Sequence, residues 1–365
     1  MHPHHHGHRG KGEEGEAGLR LLAWEVTRTC NLSCVHCRAA ALDQPYPNEF
    51  STEECLRLLD DVRSFASPII ILTGGEPLLR PDIFEIASYG TATGLRMVLA
   101  TNGTLLDHST TRRLRDSGIQ RVSISIDGAA AESHDRFRQV EGSFAGALRG
   151  IEFLKEAGLE FQVNTTILRV NLAELPAIQS LAVELGAVAH HIFLLVPTGR
   201  AKDFREQEVA AADYEQTLNW FYDQRRKVPL QLKATCAPHY QRIMRERARE
   251  EGETVTVKTH GMDAASRGCL GGGAFLFVSH VGQVQPCGYL ELDCGNVRQA
   301  SLGEIWRQSP ILENLRNVDC YRGKCGVCEY RKVCGGCRAR AYEATGDYLE
   351  AEPLCAYEPR TRAGG

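Results

Sequence analysis

From Leu19 onward, short apolar runs alternate with amphipathic stretches. Strand-like runs fall at Leu21–Val26, Ile69–Leu72, Leu95–Ala100, Val122–Ile126, Glu160–Thr166 and His190–Val196. Helical patterns lie between them, near 52–65, 82–92, 107–117, 143–157 and 174–185. Gly94, Gly118, Gly158 and Gly186 follow four of these helices, where a left-handed stop favours glycine. Strands separated by helices in this way predict repeated βαβ units and a parallel sheet. Such units wind right-handed, so the sheet is expected to curl into a barrel or part of one, with its chemistry at the C-terminal ends of the strands.

The pattern changes outside this region. Residues 1–18 are rich in His, Gly and Glu and have no hydrophobic periodicity, which reads as a disordered tail. His2, His4, His5, His6 and His8 in it offer loose metal or haem-iron ligands as the functional alternative. A core of residues 19–205 follows. Residues 206–262 are heavily charged and helical, a solvated bridge by default. From 263 to 365 the chain is rich in Gly and Cys and short of long helices, which predicts a second, metal-organised domain.

Composition narrows the function. The 365 residues exceed one average domain, and 43% hydrophobic with 24% charged residues is ordinary for a globular protein. A formal charge of -4 gives no reason to propose nucleic acid as a partner. No run of about 18 apolar residues predicts a membrane span, and the N-terminus lacks the apolar region of a signal peptide. A cytoplasmic location is expected, where the 14 cysteines point to metal or redox chemistry rather than disulfides. They are not scattered. Three lie at 30–37 and nine between 269 and 355, leaving only Cys55 and Cys236 outside.

The first group, Cys30-Asn-Leu-Ser-Cys34-Val-His-Cys37, puts three thiolates on one tight loop just after a strand. Four-iron clusters normally take four thiolates, so three leave one iron open to an exogenous chelate. Structural zinc needs a fourth ligand, and His36 adjoins Cys37 too closely to share one tetrahedral centre comfortably. Gly74–Pro77, Asn102 and Asp127 also follow strand-like runs, so one face of the barrel is expected to collect them.

This ordered set resembles the radical SAM (S-adenosylmethionine) superfamily over roughly residues 20–200. The resemblance implies an α/β fold, a partial (β/α)6 TIM-like barrel. It implies a [4Fe-4S] cluster held by Cys30, Cys34 and Cys37, with SAM chelating the open iron. Gly74, Gly75 and Glu76 match the loop that meets the methionine amino group. Asn102, Ser125 and Asp127 match loops at the ribose and carboxylate of SAM, and Arg138 an arginine near that carboxylate. One-electron cleavage of SAM would yield a 5′-deoxyadenosyl radical that takes hydrogen from an unactivated carbon. The cofactor performs that chemistry, and the protein supplies placement and exclusion of water.

The later cysteines resemble the SPASM extension of the same enzymes, which carries one or two auxiliary [4Fe-4S] clusters. The resemblance assigns Cys325, Cys328, Cys334 and Cys355 to one cluster. Cys269, Cys287 and Cys337 would lie near a second, with Cys294 available to complete it. The family usually spaces its last close pair by three residues, whereas Cys334 and Cys337 have two between them, which leaves the partition open. A zinc ribbon is the structural alternative.

Cys37-Arg38-Ala39-Ala40, GRAKD after the sixth strand, and the runs GCLGGGAFLFVSHVGQVQPCGYLELDCGNV and GKCGVCEYRKVCGGCRARAYEATGDYLEAEP resemble the haem b synthases of the sirohaem-dependent haem pathway. That implies oxidative decarboxylation of two propionates of Fe-coproporphyrin III to vinyls, with a low-potential electron donor and an electron acceptor as partners. Rival readings are another tetrapyrrole step (deacetylation of didecarboxysirohaem or haem d1 formation), a peptide-modifying SPASM enzyme, and a non-catalytic metal scaffold. The sequence assigns no catalytic side chain. Arg28, Arg200 and Lys202 are candidate partners for substrate carboxylates, with a structural role as the alternative. His190 and His191 read as core packing, with iron ligation as the alternative.

Overall fold

The computed structural model describes residues 18–360. The His-rich segment with His2 to His8 lies outside them. Seven strands run parallel and side by side in chain order: β1 Leu21–Thr27, β2 Ile69–Gly74, β3 Arg96–Thr101, β4 Val122–Ser125, β5 Phe161–Ile167, β6 Ala189–Leu194 and β7 Gln231–Thr235. On the other side of β1 come β8 Phe275–Val278, parallel to it with Leu21 opposite Phe275, then β9 Gln283–Gln285 and β10 Gly295–Asn296, both antiparallel. The C-terminal region thus extends the barrel sheet from its first strand.

Alternation explains which face is which. Leu22, Trp24, Val26, Ile70, Leu72, Met97, Leu99, Ile124 and Val163 form one core with the helices. Helix Thr52–Phe65 buries Cys55, Leu58, Leu59 and Val62, spaced three and four apart, and starts with a Ser51–Glu54 capping box. Cys55 is therefore a core residue. Gly186, at φ 83°, ends helix Leu175–Leu185 in the left-handed region where a side chain would be strained.

Within 206–262 the structure has helices Ala211–Gln224 and Tyr240–Glu250 and also β7, a strand the sequence reading did not anticipate. Its five residues, QLKAT, hold only Leu232 and Ala234 as an alternating apolar pair between charged helices. Pairing with β6 makes it a strand, with His190 opposite Leu232. Among the described residues no helix is long and apolar enough to cross a membrane.

One buried charge group joins the barrel to the C-terminal region. Glu25 of β1 is fully buried and pairs with Arg38 at 2.8 Å and Arg28 at 3.1 Å, while His280 Nδ1 lies 2.6 Å from it. Although burial opposes ionisation, Arg38, His280 and Arg28 together hold the carboxyl down to about 2. The same Arg38 follows Cys37, lies 4.4 Å over the Phe277 ring and packs against Gly288.

Candidate functional site

The first cysteine loop is wired through its backbone. Cys30 N–H donates to Leu42 O, Cys37 N–H to Cys34 O and Ala40 N–H to Cys37 O. Arg200 clamps it from above β6: its N–H donates to Cys37 O, Nε to Cys34 O at 2.8 Å and Nη1 to Ala41 O at 2.7 Å. Gly199 approaches so closely that a Cβ would fall 2.1 Å from Arg38 O. Arg200 is thus engaged with the loop, Arg28 with Glu25, and Lys202 lies 3.7 Å from Glu343. These three candidate carboxylate partners all have protein partners.

The sulfurs are prepared for negative charge. Leu32 N–H donates to Cys30 Sγ and Ala41 N–H to Cys37 Sγ, both at 3.4 Å. Burial pushes the Cys30 thiol up to about 12, and raises Cys34 against the pull of Arg138. A buried thiolate needs a cationic partner, and an iron cluster supplies one. Arg138 Nη1 stands 3.5 Å from Cys34 Sγ, and its Nε is buried without a partner.

The positions expected to meet SAM divide into two kinds. At Gly74 and Gly75 a Cβ would strike Thr27 O and Thr29 O at 2.2 Å, so glycine is needed for backbone approach to the cysteine loop. The fully buried Glu76 carboxylate accepts from Leu78 N, Thr101 Oγ1 and Asn102 N. It bolts one loop to the next. Asn102 Nδ2 donates to Asn31 Oδ1 at 2.9 Å, tying that second loop to the residue after Cys30. Asp127 is also fully buried, 2.5 Å from Arg138 and 3.5 Å from His36 Nε2, with Thr166 N donating to Oδ1 at 2.7 Å. Burial holds His36 neutral, with its pKa lowered to about 4, and its Nδ1 is an orphan. The Glu76 and Asp127 carboxylates therefore face protein groups. The Ser125 hydroxyl, at the end of β4, makes no hydrogen bond among the described residues.

The C-terminal cysteines fall into two sets. Cys325, Cys328, Cys334 and Cys355 line one cavity. Gly336 passes over it, where a Cβ would lie 3.0 Å from Cys325 Sγ, and buried Arg338 Nη2 donates to the same sulfur at 3.4 Å. Cys236, Cys287 and Cys337 meet in a separate apolar cluster. Burial raises the Cys236 thiol, and Cys337, Cys287 and Cys269 raise it further, so all four are neighbours.

Cys236 was not anticipated as a member. It follows β7 directly, in the left-handed region at φ 54°, which costs a non-glycine residue about 1–3 kcal/mol. Tyr214 Oη and Arg340 Nη2 both donate to its carbonyl at 3.1 Å and hold it there. The signal was a cysteine directly after a short alternating run. Cys294, read as available to complete the second set, sits in the main core with Ser309, Asp293 and Arg316 around it.

Among the described residues no three His, Cys, Asp or Glu groups gather tightly enough for a single metal ion. Two four-cysteine sets and one three-cysteine loop match the donor numbers of iron–sulfur clusters.

Comparison with known proteins agrees. Residues 24–182 match the radical SAM superfamily and residues 269–338 an iron–sulfur cluster-binding domain. The AdoMet-dependent heme synthase of Nitratidesulfovibrio vulgaris is 56% identical over 98% of this chain and 98% of its own. The chain belongs to the radical SAM haem synthase family. The AdoMet-dependent heme synthase of Methanosarcina barkeri is 55% identical over 93% of this chain and 97% of its own. The Fe-coproporphyrin III synthase of that organism is 31% identical over 92% and 87%. Streptococcus suis SuiB bound to S-adenosylmethionine shares the fold, with TM-score 0.71 at 16% identity over 93% of this chain and 78% of that one. A radical SAM member of this family carries a [4Fe-4S] cluster and SAM, and its iron–sulfur domain carries auxiliary clusters.

Proposed function

We propose that the chain removes two carboxyl groups from the propionates of Fe-coproporphyrin III, leaving vinyls and giving haem b. The observation that carries the reading is similarity above 50% to AdoMet-dependent heme synthases over nearly whole chains, against 31% to the Fe-coproporphyrin III synthase. Arg38, directly after the third cysteine, ties the cysteine loop to the C-terminal region. It is locked by Glu25 and packed on the segment that bears Cys287.

Cys30, Cys34 and Cys37 would hold the SAM-binding cluster. Cys325, Cys328, Cys334 and Cys355 would hold one auxiliary cluster, and Cys236, Cys269, Cys287 and Cys337 a second. Bound there, cluster and SAM supply a radical that abstracts hydrogen, and the auxiliary clusters supply an acceptor for one electron. Each propionate gives up one β-hydrogen atom, one carbon dioxide and one electron, and a carbon–carbon double bond forms.

The chain's own groups prepare the site. Arg138 offsets charge at Cys34, while Asp127 fixes that guanidinium and Thr166 N fixes Asp127. The Gly74 and Gly75 backbone, Asn102 and Ser125 offer polar contacts around the cysteine loop. Arg200 keeps the loop closed over its carbonyls. The reading also needs a low-potential electron donor and a cytoplasmic setting.

Anaerobic turnover of reconstituted protein with SAM, dithionite and Fe-coproporphyrin III, read by mass spectrometry, tests it. Haem b, a mono-decarboxylated intermediate and about one 5′-deoxyadenosine per carboxyl lost are expected. Deoxyadenosine without any change in the porphyrin would overturn the substrate.

A further inference from the structure

Asn164, His191 and Lys233, on the strands that follow Ser125 across the barrel sheet, have no role in the proposed reaction. Ser125 of β4 stands in register with Asn164 of β5, Asn164 with His191 of β6, and His191 with Lys233 of β7. Their strand neighbours Ile124, Val163, Ile192 and Leu232 pack into the helical layer. Alternation therefore turns the row toward the lumen. Ser125 is the last residue of β4, whereas Asn164, His191 and Lys233 stand mid-strand, so the row descends from the rim that carries the cysteine site into the barrel.

His191 is the metal-binding side chain of this row. Its Nδ1 lies 3.0 Å from the Gln162 side-chain amide, which is itself 2.9 Å from Asn164 Oδ1. Its Nε2 makes no hydrogen bond among the described residues and is not sealed off by protein. The two ends of an Asn or Gln amide interchange readily. The Gln162 amide nitrogen faces both Nδ1 and the Asn164 oxygen; with the Gln162 and Asn164 amides turned together, the Gln162 oxygen accepts from Nδ1–H and from Asn164 Nδ2, and Nε2 is left unprotonated toward the lumen. Metal-binding histidines are held in this way by a second-layer acceptor. Burial, assisted by Lys233, His190 and Arg121, keeps the ring neutral with a pKa lowered to about 3. His190 differs: it points outward, edge-on to Phe221, with Nε2 3.0 Å from Thr165 Oγ1.

We propose that His191 binds the iron of a metalloporphyrin through Nε2 and fixes the macrocycle against the Asn164–His191–Lys233 row. This rests on the iron-porphyrin reading of the substrate. Lys233 closes the row at β7 and is itself paired with Asp263 at 3.4 Å.

The test titrates reconstituted enzyme with ferric Fe-coproporphyrin III and with metal-free coproporphyrin III, followed by Soret difference spectra and EPR. Wild type is expected to prefer the iron form and to show a histidine-ligated spectrum. His191→Ala should abolish both the preference and that spectrum, and His191→Met should restore ligation with altered bands. Gln162→Ala, which keeps the imidazole, should weaken iron-porphyrin binding about ten-fold, and it decides the matter where His191 variants do not fold. Iron porphyrin bound by His191→Ala with wild-type affinity and spectrum would overturn the proposal and leave the substrate reading intact. Wild type that binds no iron porphyrin would overturn both.

Discussion

The two cysteine regions are built on opposite plans. In the first, Cys30, Cys34 and Cys37 share one loop, and neighbouring backbone and Arg200 hold its shape. In the second, Cys236 meets Cys269, Cys287 and Cys337 across as much as a hundred residues of chain. Their approach depends on β7 pairing with β6 and on Arg340 and Tyr214 gripping the Cys236 carbonyl. Local spacing brings the first three cysteines onto one loop, which the long-range contacts of Arg200 then lock. The second set comes together only once the sheet is complete, so a cluster held there would couple its assembly to folding.

The largest effects should separate these plans. Cys30→Ala should abolish SAM cleavage entirely while sparing the C-terminal clusters, lowering iron from about twelve per chain to about eight. Deoxyadenosine assay with iron analysis checks this. Cys236→Ala should lower iron by a similar amount but leave SAM cleavage measurable, with haem b formation falling by more than about ten-fold. Full iron content in Cys236→Ala would assign the fourth ligand elsewhere.

The same contrast governs what could be read from sequence. Six barrel strands, their glycine stops and the first cysteine loop rest on short-range pattern and were legible. The set Cys325, Cys328, Cys334 and Cys355 was expected together, and the four line one cavity. What escaped depends on long-range packing. β7 has too few apolar residues to announce itself, so nothing in the local pattern attaches Cys236 to the other cysteines. Cys294 lies close in sequence to Cys287, yet the antiparallel pairing of β9 and β10 carries it into the core instead. Glu76 and Asp127 were expected at the cofactor. Their types and positions were readable, but their hydrogen-bond partners were not, and both carboxylates are committed to protein groups.

A middle-sized effect tests the joint between the two regions. Glu25→Gln leaves Arg38, Arg28 and His280 without their buried carboxylate, and breaking such a group costs about 3–5 kcal/mol. The wild-type carboxyl is lowered to about 2, so its contribution is full above its unfolded value near 4.5 and is lost as pH falls toward 2. Circular dichroism during acid titration should therefore show a flatter acid limb for Glu25→Gln than for wild type. Equal slopes would mean that Glu25 does not carry the joint.

The smallest effect is the sharpest control. Cys294 and Cys236 are both buried to some degree, both carry thiols raised by burial, and either completes a set of four by count alone. Geometry separates them: Cys294 has a serine, an aspartate and an arginine for neighbours and, among the described residues, no other cysteine acting on it. Cys294→Ala should thus remove only a small buried side chain, costing about 1 kcal/mol, with iron content, SAM cleavage and haem yield unchanged. Thermal denaturation beside iron analysis reads both quantities on one sample. A loss of four irons on Cys294→Ala would move the second auxiliary set away from β7 and back to the residues nearest in sequence. It would also make the C-terminal region as local in its construction as the first loop.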